Sequence, residues 1–459
     1  MLLLDITIVN VALPAIEKAL NASFSDLQWV VDAYALALAT CVLTAGALAD
    51  LFGRKRLFVI GIVLFTIASA ACGIAGDPLF LIIARGAQGI GGATMFATAL
   101  ALLSQEFHGK ERGTAFGIWG ATIGLAVAIG PLVGGMLTSW LSWRWIFLVN
   151  IPIGAAAVVL AMAQLRESSD PEHSRLDPVG LVTLTCGLFC LILALIEGNS
   201  HGWSSGLIVA LLVAAGLLIT AFVVSQAVQS TSMVDLALFR RPAFVGAQIT
   251  AFAISSTLFA MFLYLTLYLQ DVLRLSPLQT GVRFLPLSLV SFVAAPVAGR
   301  LSTRVPIRLL LGFGLALVAL SMWLMSGITV ESHWTTLLPG FIVGGVGIGL
   351  VNAPLATTAV STVGQERAGM ASGINNTFRQ LGIATGIAAL GAIFQSKVGS
   401  AHFGTGHVPE AARASFISGL NAILEVGAVV AAIGAVLALL LVRRGDFVAS
   451  GPPPAAAEA

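Results

Sequence analysis

Charge is what this chain has least of. Only 10% of its 459 residues are Asp, Glu, Lys or Arg, while 58% are hydrophobic. A soluble domain carries about 25% charged residues, so a water-solvated surface is excluded and a lipid-embedded chain is expected. Cysteine is scarce as well. Cys41, Cys72, Cys186 and Cys190 all lie in apolar runs without metal-ligand company, and ordinary buried packing is expected for them. No basic face or aromatic-basic interleaving is present, which excludes a nucleic-acid partner. No clustered catalytic set is present, so the chain does not read as an enzyme. No GxxxxGK[ST] loop occurs, which argues against ATP-driven work within this chain. The glycines of Gly86 to Gly91 lack the dinucleotide-binding spacing and sit inside an apolar helix. Neither a cofactor nor a metal is therefore expected. The amino end lacks a basic region and a cleavage site, so a cleaved signal peptide is not expected.

What the chain has instead is apolar length. A bilayer crossing needs about 20 residues. Fourteen stretches meet or approach that: 1–19, 27–50, 56–76, 79–103, 113–139, 143–164, 177–197, 204–225, 243–269, 280–301, 306–327, 335–358, 370–396 and 416–441. The first is short for a span, which predicts a helix that starts upstream of residue 1. Fifteen of the 23 basic residues fall in loops on one side of this layout and five on the other. That bias places both termini in the cytoplasm of a multi-pass protein of the cell inner (cytoplasmic) membrane. The predicted fold is all-α. Residues 1–165 form a six-helix bundle, and 166–242 hold linker segments and two additional transmembrane helices. Residues 243–445 form a second six-helix bundle, and 446–459 a disordered cytoplasmic tail. A short echo supports the duplication. Asp50-Leu-Phe-Gly53-Arg54 follows the second span, and Gly299-Arg300 follows the second span of the last six.

Charges at membrane depth are costly and usually face the protein interior or a water-filled path. Asp5, Asp32 and Arg85 are the leading candidates for handling a proton. Asp32 and Arg85 lie at matching depths, which makes an ion pair between them geometrically possible, either for coupling or as a fixed lock between two helices. A carboxylate balanced between desolvation and a nearby cation can load and release a proton near neutral pH. Asp5 can bind a proton or a cationic group, or else simply tie two helices together through a serine, threonine or arginine. Gly46, Asp50, Gly53 and Arg54 shape the turn between the second and third spans, of the kind that gates two helix bundles. Gly130 and Gly134 set a small-residue packing stripe that Pro131 kinks, with Gly135 beside it. Asn10, Gln88, Phe116, Trp119, Tyr264, Tyr268, Asn375 and Arg379 are candidates for lining a cavity, each weighed against plain helix packing. Aromatic and apolar lining with sparse carboxylates suits amphiphilic or cationic aromatic compounds. Trp140, Trp143 and Trp145 read as interface anchors.

Taken together these motifs resemble the major facilitator superfamily, and within it the fourteen-span EmrB/QacA-type drug:proton antiporters. The likeness rests on Leu4-Asp5-Ile6-Thr7-Ile8-Val9-Asn10-Val11-Ala12-Leu13-Pro14, on Gly46, Leu48, Asp50, Gly53, Arg54 and Lys55, on Arg85, Gln88, Gly89 and Gly91, and on Gly130, Pro131, Gly134 and Gly135. Leu51 departs from the pattern, where a basic residue is common. The resemblance implies two six-helix bundles plus two extra helices. It also implies that Asp50 and Arg54 belong to a gating turn and that Arg85 is linked to proton coupling. The expected activity is alternating-access exchange of external protons for a cytoplasmic small molecule, by a monomer whose partners are substrate, protons and lipid. A metabolite or nutrient transporter of the same fold is the alternative.

Overall fold

In lipid the backbone must satisfy its own polar groups, and a helix does so within one segment. The computed structural model describes residues 1–107, 109–168, 177–229, 234–302, 304–363, 368–398 and 410–442, and they are helical almost throughout. The helices are α1 (Leu2–Leu20), α2 (Phe24–Phe52), α3 (Arg54–Gly73), α4 (Pro78–Glu106), α5 (Gly109–Trp140), α6 (Trp145–Leu148), α7 (Asn150–Gln164), α8 (Pro178–His201), α9 (Gly206–Val228), α10 (Pro242–Leu267), α11 (Pro277–Leu301), α12 (Ile307–Met325), α13 (Leu338–Ser361), α14 (Ala368–Val398) and α15 (Glu410–Leu441). A π turn, Tyr268–Val272, extends α10. Among the described residues twelve helical segments are long and apolar enough to cross a membrane, α6 and α7 together making one of them. Helices α1 and α5, of 19 and 32 residues, stand outside those twelve. The expected tail, 446–459, lies outside the described residues.

The helix starts are written in the local sequence. Asp77, Asp177 and Ser276 each precede a proline, and each side chain accepts a backbone N–H from the first turn. The cap supplies an acceptor for an orphan donor, and the proline sits where no donor is needed. At α2 the Asp26 carboxylate accepts from the Ser23 Oγ at 2.7 Å and the Ser23 N–H at 2.8 Å. These bonds hold the Asp26 carboxyl below the usual carboxylate range.

Two groups of helices repeat one packing pattern. In the first, α1 packs on α5, α2 and α3 on α4, and α3 on α7; in the second, α10 packs on α14, α11 and α12 on α13, and α12 on α15. The groups meet along two equivalent seams, α2 with α14 and α5 with α11. The α8–α9 hairpin docks beside the first seam, where α8 touches both α2 and α14. Leu184, Leu188 and Ile192 of α8 share a core with Leu36 and Leu43 of α2, and the Thr44 and Thr185 hydroxyls bond at 2.8 Å. At the other end of the pair, Gln226 Nε2 donates to the Asp177 carboxylate at 2.5 Å, tying the end of α9 to the start of α8.

Two expectations need correction. Trp140 and Trp145 are exposed, but Trp143 is only 4% exposed and packs edge-on against Phe147 under the Arg144 guanidinium. It is a core residue, because the bend between α5 and α6 turns it inward. Of the cysteines only Cys72 is buried, and Cys186 faces outward from α8.

The seam-side position of the hairpin has a direct check. With the native cysteines replaced by serine, Thr44→Cys paired with Thr185→Cys should crosslink under mild oxidation, since the hydroxyls already meet. A crosslink linking fragments cleaved between α5 and α8 is the expected result, and none should form with Cys placed on the outer face of α9.

Candidate functional site

The first site is the centre of the amino-terminal helices. Gly89 and Gly91 let α4 nest between two neighbours. A Cβ at Gly89 would stand 2.9 Å from the Ala37 Cβ of α2, and one at Gly91 would stand 2.6 Å from the Phe65 backbone nitrogen of α3. This close approach carries Arg85 into the middle of the bundle, where it is 1% exposed. Its Nη1 donates to Asp5 Oδ2 of α1 at 2.5 Å and to Gln88 Oε1 at 2.6 Å, and its Nε donates to the Val30 carbonyl of α2 at 2.9 Å. Its guanidinium lies 4.3 Å from the Tyr34 ring centroid. Gln88 Nε2 donates to Asp5 Oδ1 at 3.0 Å and to Ser69 Oγ of α3 at 2.7 Å. Asn150 of α7 reaches the same hydroxyl at 3.4 Å. One carboxylate thus links α1, α3, α4 and α7 through a continuous network. Removing either member of such a buried pair alone costs about 3–5 kcal/mol, because the other is left uncompensated.

Asp32 is not Arg85's partner, contrary to the depth argument. Val30 and Tyr34 are four residues apart and share the face of α2 that meets Arg85. Asp32 is two residues from each, so it projects from the opposite side. It turns toward α8, where it feels the charge of Glu197, itself bonded to His201 at 2.9 Å. Equal depth placed the two residues at one level, and helix phase separated them.

The second site lies at the end of the first seam where α2 turns into α3 and α14 begins. Gly53 has φ +108°, a conformation that favours glycine, and it turns α2 into α3. Asp50 Oδ1 accepts from Arg54 Nε at 2.9 Å and pairs with Nη2 at 2.8 Å, and both side chains are buried. Asp50 Oδ2 accepts from the Met370 N–H at 2.7 Å, in the first turn of α14. A carboxylate at a helix amino end gains from the orphan N–H groups and the helix dipole. Gly46 lies one turn before Asp50 in α2.

Sequence reasoning read Glu167 as part of a polar loop. Its carboxylate accepts the Lys55 and Arg56 N–H groups at 3.0 and 3.1 Å and so caps α3. Lys55 Nζ donates to the Met162 carbonyl of α7 at 2.8 Å, and the Ser168 hydroxyl bonds Gln105 at the end of α4. The local signal is one acidic residue among three in a polar segment, Glu167, Asp170 and Glu172. Its partners are more than a hundred residues away, which no local pattern reveals.

The remaining candidates divide. Gly130 and Gly134 of α5 face α1 at Thr7 and Ile8, just past Asp5, and Gly135 approaches Leu278 of α11. The side chains of Asn10 and Pro131 lie outside the described residues. Phe116 and Trp119 share an apolar cluster with Leu100 of α4 and Ala356 of α13, at the contact of the two helix groups. Trp119 stacks on Phe96, with centroids 6.0 Å apart. Asn375 donates to Gln248 of α10 at 3.1 Å, and Arg379 donates to Asn352 of α13. Tyr264 and Tyr268 belong elsewhere. They are buried in the core of the carboxyl-terminal helices, Tyr264 against Phe394 and Tyr268 bonded to the Ser332 carbonyl. Their four-residue spacing served packing. Among the described residues no group of His, Cys, Asp and Glu could hold a metal.

Duplicated helix groups, two seams and a buried carboxylate–arginine pair are the marks of a membrane transporter built from two repeats. A family model described as Major Facilitator Superfamily matches residues 1–387, and the chain belongs to that superfamily. It is 37% identical over 394 residues to the multidrug resistance protein Stp of Mycobacterium tuberculosis, spanning 86% of this chain and 73% of that protein. It is 34% identical over 401 residues to the tetracenomycin C resistance and export protein of Streptomyces glaucescens, spanning 87% and 74%. The solved proton:xylose symporter XylE shares the fold, with a TM-score of 0.67 at 14% identity over 96% of this chain and 93% of that one.

Gly53→Ala should lower stability by about 1–3 kcal/mol, through backbone strain at positive φ and a Cβ pressed to 2.6 Å from the Glu167 carboxylate. Thermal unfolding in detergent measures it. Adding Glu167→Ala should return only part of the loss, because the contact is relieved and the backbone strain is not.

Proposed function

We propose that this chain exports amphiphilic, drug-like compounds across the cytoplasmic membrane in exchange for protons, by alternating access. The observation that carries this reading is the Asp5–Arg85–Gln88 network. Asp5 is a buried carboxylate at membrane depth, paired with Arg85 and bonded by Gln88. When Asp5 takes a proton the attraction is lost, and Arg85 keeps the Val30 carbonyl and the Gln88 amide as acceptors. The tie between α1 and α4 then weakens. Because α1 packs on α5 at Gly130 and Gly134, and α5 forms a seam with the second helix group, a proton at Asp5 can bias the whole arrangement. The names of the similar proteins, multidrug resistance and antibiotic export, support export as the direction.

In the same reading α1 and α5 join the twelve apolar segments as spans. That gives the fourteen-span, EmrB/QacA-type layout of two six-helix bundles with α8 and α9 as the extra pair, and both termini in the cytoplasm. Asp50, Arg54 and Gly53 form the inner gate, and the Asp50 to Met370 bond is its latch. One chain contains both bundles, so the working unit is a monomer. Asp32 is a second carboxylate able to take part in coupling, through the α8 side rather than through Arg85.

Reconstituted vesicles with an imposed pH gradient test this. Asp5→Asn should cut gradient-driven transport at least about ten-fold, a change worth about 1.4 kcal/mol, while substrate exchange without a gradient persists. Asp5→Glu, which keeps the charge, should retain coupling in part. An unchanged dependence on the gradient in Asp5→Asn would remove Asp5 from the proton path. Asp50→Asn keeps the shape and loses the charge, so exchange should change in rate while cysteines placed across the inner gate report longer opening.

A further inference from the structure

Three arginines sit deep among these helices, and they are not compensated alike. Arg54 has Asp50 and Arg85 has Asp5. Among the described residues the partner of Arg379 of α14 is the Asn352 Oδ1, 3.3 Å from both Nη1 and Nη2. Its Nε is buried without a partner. Among the described residues no carboxylate pairs with it or acts on it as a charge. The polar atoms around it are also under-used. Asn375 Oδ1, Asn376 Oδ1 and Gln248 Nε2 are buried with no partner, although these side chains are at most 1% exposed. A guanidinium does not escape this by losing its proton, since it stays charged at any ordinary pH. Buried polar groups in folded proteins are nearly always satisfied, so such a set points to something that completes it.

Its neighbours indicate what. Asn376 Nδ2 reaches across to the Phe96 carbonyl of α4 at 3.4 Å. Phe96 stacks on Trp119 of α5. The residue after Trp119, Gly120, brings its backbone against Asn352, whose Cβ would lie 3.5 Å from an added Cβ. Cation, amides and aromatic pair therefore gather where α4, α5, α13 and α14 meet, between the two helix groups. The Phe96–Trp119 pair is one residue removed from Arg379, through Asn376 and Asn352, and an aromatic pair and a guanidinium in one region are complementary to a flat aromatic ring bearing an anionic oxygen. It is unfavourable for a cation, which would meet Arg379 without an acidic group to offset the repulsion.

We propose that Arg379, with Asn352 and the Phe96–Trp119 pair, forms a binding site for acidic aromatic amphiphiles, those carrying a carboxylate or phenolate. The selectivity runs against cationic compounds. This rests on the export reading and narrows its substrate class.

The test uses two xanthene dyes of one ring system and opposite charge, fluorescein and rhodamine 123. Binding to the purified full-length protein is read by fluorescence anisotropy, and transport in vesicles of zwitterionic lipid under a pH gradient. Zwitterionic lipid keeps anionic headgroups from occupying the site, and adding an anionic phospholipid reports any competition from that source. The expected result is fluorescein bound at least about ten-fold more tightly than rhodamine 123. Arg379→Gln should erase that preference, and Arg379→Lys should keep most of it. Asn352→Asp supplies a carboxylate to Arg379 from within, leaves the bulk unchanged, and should also erase the preference. Preference for rhodamine 123, or equal weakening of both dyes by Arg379→Gln and by Asn352→Asp, would overturn the proposal. If rhodamine 123 is driven by the gradient and fluorescein is not, export stands and this proposal falls. If fluorescein binds with the expected pattern and neither dye moves, the site stands and export falls.

Discussion

A charge in hydrocarbon has no water to fall back on, so every ionic group inside this chain must find its partner among the other helices. That constraint organises the molecule. The Asp5–Arg85 pair fixes α1 against α4 and draws α2 and α3 into one network through Val30 and Ser69. The Asp50–Arg54 pair fixes the end of α2 and reaches the start of α14. Arg379 shows the same constraint from the other side, because among the described residues no carboxylate pairs with it.

Close packing makes those pairs possible. Without Gly89 and Gly91, α4 would stand too far from α2 and α3 for Arg85 to reach the Val30 carbonyl while Gln88 reaches Ser69. Without Gly134, α5 could not lie against α1 at Ile8, one turn beyond Asp5. In lipid there is little hydrophobic drive between helices, so small residues and interhelical hydrogen bonds carry the association. The glycines are therefore part of the electrostatics, since they set the distances at which the charges meet.

Much of this was legible in the sequence, for identifiable reasons. Helix positions follow from apolar length, and helix starts from caps such as Asp77-Pro78 and Asp177-Pro178. Arg85 with Gln88, and Asp50 with Arg54, are separated by three and four residues, and local spacing reveals such pairs. Pairing across helices was not legible. Depth alone suggested Asp32 for Arg85, but the phase of α2 turns Asp32 away and leaves Asp5 as the partner. Tyr264 and Tyr268 looked like a cavity stripe and are core. Asn352 was missed inside an apolar run, although a lone asparagine at that depth needs a partner. Glu167 was missed because its partners lie in a different helix entirely.

The two seams are alike in packing and unlike in chemistry. The echo between the halves aligns Gly53-Arg54 with Gly299-Arg300, and the position three residues before each glycine is Asp50 in the first half and Pro296 in the second. Proline offers neither a carboxylate nor an N–H, and it weakens the helix where it stands. The α2–α14 seam thus carries an ion pair bonded to a helix amino end, while α11 carries a proline at the equivalent place. On the export reading proposed above, a state change begun at Asp5 acts on a first seam whose contacts include the Asp50 pair with Arg54 and its bond from the Met370 N–H.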